Sequence, residues 1–153
     1  MTFSFRYLLV LCLCLPGAAV AQQPQQEPET PSINDTVKYI NANTEYGISL
    51  AGTALTANNE KWQRHLDLLN ATPLATISGD DASAVTLSCR GMSKCIHTTY
   101  RGQPDANGNK PGDEDIVVMD IKCKNATVAP HVTRALNHLV GLIQQQAAGG
   151  QPF

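Results

Sequence analysis

The chain has 153 residues and a formal net charge of −2; its first 21 residues, Met1 to Ala21, read as an export leader, leaving 132 residues, one domain's worth of chain. Arg6 is the leader's one charged residue, so the remainder carries −3, which excludes a broad cationic surface for nucleic-acid phosphates or anionic lipid. The aromatics beyond Ala21 are Tyr39, Tyr46, Trp62, Tyr100 and Phe153, enough for a modest core but too few for a stacked nucleic-acid platform.

In the leader, Arg6 precedes an apolar run from Tyr7 to Leu15, Pro16-Gly17 break it, and Ala19-Val20-Ala21 places small residues where a signal peptidase reads them. Cleavage is expected after Ala21. The run is shorter than the roughly 20 residues that cross a bilayer, so no membrane insertion is expected after cleavage. Cys12 and Cys14 each follow Leu inside the run, which argues against lipidation. The expected location is periplasmic or secreted. Residues 22–31, QQPQQEPETP, carry no apolar side chain except proline rings and read as a disordered Gln/Pro-rich tether. A single globular domain is expected over 32–146 and a flexible tail over 147–153.

Ser32 and Asp35 resemble a capping box, and Ile33, Val37 and Ile40 fall on one face, predicting a helix over about Ile33 to Asn43. The period then changes to two, through Ile48 and Leu50, Thr53 to Ala57, and Trp62 to Leu68, with a tight hairpin expected at Asn58-Asn59. Further strands are read at Ala84 to Cys89, Lys94 to Tyr100 and Asp115 to Cys123, the last two separated by the polar loop Arg101 to Glu114. Val85, Leu87 and Cys89 share one strand face; Val117, Met119, Ile121 and Cys123 share another, so one side of the sheet is buried. The last helix places Val132, Ala135, Leu136, Leu139, Val140, Leu142 and Ile143 in an apolar stripe, with Pro130 in its first turn and Gly149-Gly150 stopping it. That stripe needs a cover, and the open apolar sheet face supplies one. The expected fold is α+β: an antiparallel sheet or small barrel of about six strands, a short N-terminal helix, and a C-terminal amphipathic helix packed on the sheet.

The segment TVKYIN in the first helix, the strands that follow, and TRALNHLVGLI before Gly149-Gly150 and the closing Pro152-Phe153 resemble a group of small exported bacterial proteins without an assigned activity. The order of elements also looks like a pleckstrin-homology-like arrangement, in which a C-terminal helix plugs a bent antiparallel sheet. The resemblance implies a fold more than a function, because such scaffolds host phosphoinositide, peptide and structural roles alike. The basic inositol-phosphate loop of lipid-binding members has no counterpart here, so no binding residue is carried over.

Beyond the leader the cysteines are Cys89, Cys95 and Cys123, an odd number for an oxidising compartment. Cys89–Cys95 is the first expected bridge, across a turn between consecutive strands; Cys89–Cys123 is the second, Cys123 being expected at the same end of the sheet. The remaining thiol is expected to be buried. His65, His97, His131 and His138 are available for metal, but Cys95-x-His97 is a single pair where structural zinc needs four converging ligands, so no metal and no cofactor are expected. His131 and His138 read as residues flanking the apolar stripe. Asp105, Asn107 and Asn109 alternate as in a calcium loop, but Lys110 and Ile116 stand where Gly and a bidentate Glu are required. Asp80-Asp81 follows Ser78-Gly79 and reads as solvated turn acids rather than an acid/base dyad.

No nucleophile motif or phosphate-cradling glycine loop occurs, so no catalytic residue is assigned. The leading expectation is a non-enzymatic exported module that binds another protein or an envelope component through a sheet edge, the 101–114 loop or a groove beside the last helix. The alternative is an enzyme whose site assembles in three dimensions around Cys95, His97 and His138. Partner identity and oligomeric state are not fixed by the sequence.

Overall fold

The computed structural model describes residues 31–103 and 112–149, and Pro31 onward forms one compact unit. The leader and its cleavage point, the tether up to Thr30, the calcium-like positions Asp105, Asn107 and Asn109, and the end of the tail lie outside the described residues.

Helix α1 spans Ile33–Asn43. Ser32 caps it, its Oγ accepting the Asp35 N–H at 3.2 Å and donating to the Asp35 carboxylate at 2.7 Å. Ile40 is fully buried, with Ile33 and Val37 packed against the core beside it. Ser32→Ala orphans that amide at an exposed helix end, and is expected to cost about 1 kcal/mol, read as a fall of about 4 °C in the thermal midpoint followed by circular dichroism.

Among the described residues eight strands follow: β1 Gly47–Ala51, β2 Ala54–Asn58, β3 Trp62–Asp67, β4 Thr76–Ser78, β5 Ala84–Ser88, β6 Ile96–Tyr100, β7 Glu114–Ile116 and β8 Val118–Lys122. They form two antiparallel sheets, β1-β2-β3-β6-β7 and β4-β5-β8, which do not close into a barrel. Gly52, at φ +60, turns β1 into β2. The next hairpin is tightened by Asn59, whose side chain accepts the N–H groups of Lys61 and Trp62, both at 2.9 Å; Asn59 N–H in turn bonds the Trp62 carbonyl, so the turn is centred on Glu60-Lys61, two residues later than Asn58-Asn59. In the β4–β5 turn Asp81 accepts both the N–H and the hydroxyl of Ser83, and these bonds hold its carboxyl below the usual range. It is a turn acid, as expected.

Two differences from the expected strands have one cause. The segment Asp115 to Cys123 is not one strand but two, bent at Val117, with β7 in the larger sheet and β8 in the smaller. The chain crosses between sheets here and twice before: after β3, through a 3₁₀ turn at Leu68–Asn70, and after β5, through Arg90–Met92. Consecutive strands β5 and β6 are therefore not neighbours, and the sheet is not a simple meander. The strand count rises from six to eight because of this bend and because β4 is too short to show a period.

Helix α2 spans Ala129–Ala147 with Pro130 in its first turn, and Gly149 ends it at φ +73. Val132, Leu136, Leu139, Val140 and Ile143 are buried in one core cluster with Val85, Leu87, Met119 and Ile121. The stripe is covered by the sheet, as expected. Asn137 adds a polar tie, accepting the Ala75 N–H at 2.6 Å. On the larger sheet the row Leu50, Leu55, Leu66, Ile96, Ile116 faces the same core.

Candidate functional site

Because side chains alternate along a strand, shifting by one residue from that apolar row reaches the opposite face of the larger sheet. The register there lines up Ser49, Thr56, His65, His97 and Asp115, one from each strand. His65 Nδ1 lies 2.9 Å from the Thr56 hydroxyl, and His97 Nδ1 lies 2.9 Å from the Asp115 carboxylate. The carboxylate favours the His97 tautomer with its proton on Nδ1, leaving Nε2 as a free base or ligand atom. Neither Nε2 has a hydrogen-bond partner among the described residues. The side chains of His97 and Asp115 are 52 % and 59 % exposed, so their attraction contributes little to stability.

The residues of the enzyme alternative are not brought together. Cys95 is bonded to Cys89 and offers no thiol. His97 belongs to the outer histidine row. His138 sits on α2 within 3.2 Å of the Pro31 carbonyl oxygen, beside a groove of about 440 Å³ lined in part by Pro31, Tyr39 and Ala135. His131 is exposed and lies 2.8 Å from an Arg134 guanidinium nitrogen, a flanking residue as expected.

Cys123 is the free cysteine among the described residues, and it is buried; burial pushes its thiol pKa up. It was expected near Cys89, but its N–H bonds the Ser83 carbonyl, at the far end of β5. About 20 Å of strand separates the two positions, which removes Cys89–Cys123 as a pairing.

Two other polar groups lie on the sheets. Ser78, Thr86 and Asp120 share the outer face of the smaller sheet, with Thr86 bonded to both of the others, and Lys122, on the same face, is paired with Glu45 at 3.3 Å. At one end of the larger sheet's inner face, Trp62 meets Tyr46 edge-on at 4.9 Å and carries the Arg64 guanidinium at 4.3 Å. Beside them Tyr100 donates to Glu114 at 2.6 Å, a bond that raises the phenol pKa. Arg64 Nε and Thr98 Oγ1 are buried without hydrogen-bond partners.

The sheet edges differ in how they are protected. At β1 the Ile48 N–H is taken by Asn41 at 2.8 Å, β7 carries Glu114 and Asp115, and at β8 the Lys122 carbonyl accepts the Glu45 N–H. The short edge strand β4 has exposed apolar side chains instead: Leu74, just before it, is 68 % exposed and Ile77, within it, 44 %.

The fold is thus a small α+β domain of two open antiparallel sheets with a helix buried against them, carrying an outer histidine row and exposed apolar side chains at both edges of the smaller sheet, Leu74 and Ile77 by β4 and Val118 on β8. Comparison of the chain with protein-family models, curated proteins and solved structures finds no match. Among the described residues no helix is long and apolar enough to cross a membrane.

The sequence offered His65 and His97 as separate candidates but not as cross-strand neighbours, and it did not single out Thr56 or Asp115 as their partners. Alternation in each strand placed them on the polar face; only the long-range register makes them neighbours.

Proposed function

We propose that this is an exported, non-enzymatic binding module that takes an extended segment of another protein as an added strand on its β4 edge. The observation that carries the reading is the exposure of Leu74, just before β4, and of Ile77, within it, at an edge that has no charged side chain from Leu74 to Ser78 and whose side-chain cap, Asn137 on the Ala75 N–H, precedes the strand. Strand addition uses the main chain for affinity and pockets at alternate positions for selectivity, and an apolar edge favours it. Export is supported by the leader-like sequence and by a bonded cysteine pair, which persists in oxidising compartments.

Affinity capture from the envelope of producing cells, with wild type and the double variant Leu74→Lys/Ile77→Lys, tests it. Both positions are exposed, so the variant is expected to fold. A captured protein should be lost by the variant, and its binding should slow amide exchange at Thr76–Ser78. Retention of the same protein by the variant refutes the edge. Turnover of a metabolite library by purified protein, lost on His97→Asn, refutes the non-enzymatic reading.

A further inference from the structure

The outer histidine row carries an inference independent of the β4 edge. We propose that His65 and His97 form a two-histidine clamp for a divalent late transition-metal ion, with copper(II), nickel(II) and zinc(II) as the class of ligand.

The first support is placement. His65 and His97 are direct cross-strand partners of β3 and β6, a relation that sets Cβ atoms about 4.5–5.5 Å apart on one face. Two imidazole nitrogens each about 2.0–2.1 Å from one ion lie about 3 Å from each other. Rings rooted at that Cβ spacing reach this separation by leaning over the gap between strands. The second support is the state of each ring. Histidines that bind metal nearly always give their other ring N–H to an oxygen, which fixes the tautomer and ring orientation. Both rings have that oxygen at Nδ1, the Asp115 carboxylate for His97 and the Thr56 hydroxyl for His65, each at 2.9 Å. Two rings on adjacent strands, each held at Nδ1 and free at Nε2, are more than chance surface histidines supply.

The donor set selects the ion. Imidazole suits copper, nickel and zinc, whereas calcium and magnesium require oxygen ligands. No cluster of three or more His, Cys, Asp or Glu able to hold a metal occurs among the described residues, so water completes the coordination. The site is open and exchangeable, and the series of affinities places copper(II) tightest. Asp115 and Thr56 are positioning residues: they orient the rings and do not touch the ion.

The test is titration of the untagged protein with Cu²⁺, Ni²⁺ and Zn²⁺ by calorimetry, with histidine ring signals followed by NMR. One ion per chain is expected, with paramagnetic broadening by Cu²⁺, and ring shift changes with Zn²⁺, centred on His65 and His97. His65→Ala and His97→Ala should each weaken binding at least about tenfold, since each removes one of two ligands. Asp115→Asn should weaken it about 10- to 100-fold with the stoichiometry kept, which a merely structural role would not produce. His131→Ala should change nothing. All four positions are exposed or half-buried, and a thermal midpoint for each variant separates lost binding from lost fold; His65→Gln replaces His65→Ala where the latter unfolds. Affinity unchanged in both ligand variants, or broadening centred on His131 or His138, overturns the clamp.

Discussion

Leu136→Ala is expected to remove about 2–5 kcal/mol of stability, a large share of the 5–15 kcal/mol available to a domain of this kind. Leu136 is fully buried in the α2 stripe, in the same cluster as Val85, Leu87 and Ile121. Truncation removes methyl and methylene contacts and leaves a cavity between a helix and a sheet, two rigid elements that close poorly over it. With a urea dependence of about 1–3 kcal/mol per molar, the midpoint of unfolding, followed through Trp62 fluorescence, should fall by about 1–5 M. Two controls separate packing from helix propensity. Leu136→Met keeps the volume and should cost under about 1.5 kcal/mol. Leu142→Ala lies on the same helix but is only partly buried, so it should cost much less than Leu136→Ala. Equal effects at 136 and 142, both near zero, would mean that α2 does not rest on the sheet in solution.

The α2 stripe marks what was readable in the sequence, although that reading set Ala135 and Leu142, which are only partly buried, beside the buried residues. The stripe was legible because a helix repeats every 3.6 residues and the pattern is complete within one segment; Val132, Leu136, Leu139, Val140 and Ile143 needed no knowledge of the rest of the chain. Helix α1 was legible for the same reason, with Ser32 marking its start. The hairpins β1–β2 and β2–β3 were legible because each is local, two alternating runs around a turn. Alternation gives the face of a residue, but it does not give the sheet. Val117 is the clearest case: Asp115 to Cys123 reads as one apolar alternation, yet the chain bends there and passes to the second sheet, where β8 pairs with β5. Strand β4, three residues at an edge, is too short to carry a period. The histidine row fails to show for a different reason. His65 and His97 meet only because β3 skips the β4–β5 hairpin to pair with β6, a register shared with the buried pair Leu66 and Ile96 on the opposite face. A site assembled by such a register leaves no local motif behind.

The three passages between sheets also explain why one disulfide has a structural role larger than its loop. Cys89 closes the end of β5 in the smaller sheet, and Cys95 precedes β6 in the larger, so the bond spans a crossing rather than a hairpin. The expected pairing was right, but the expected reason, a turn between two paired strands, was not. Gly91 and Met92 both take positive φ in this connection, at 65° and 58°, and Met92 is 76 % exposed. Met92 is a residue that pays for a left-handed backbone without burial in return, and the bond holds the chain through it.

Removing the bridge in a Cys89→Ala/Cys95→Ala variant is therefore expected to destabilise the fold by about 2 kcal/mol, the chain-entropy value for a loop of this length. Cys89 is itself buried and its sulfur accepts the Cys95 N–H at 3.1 Å, so the variant also loses packing and leaves an amide to find water; the cost should not fall below the loop estimate. Dithiothreitol acting on wild type removes the covalent link but keeps both sulfurs in place, and should cost less than the double variant. Thiol titration fixes the pairing. Protein beginning at Gln22, denatured without reductant, should show one reactive thiol per chain, that of Cys123, and three after reduction. In the folded state that thiol should react slowly, because burial raises its pKa and the thiolate is the reacting form. Three thiols in unreduced denatured protein would show the crossing to be unbonded, and a fast native reaction would place Cys123 outside the core.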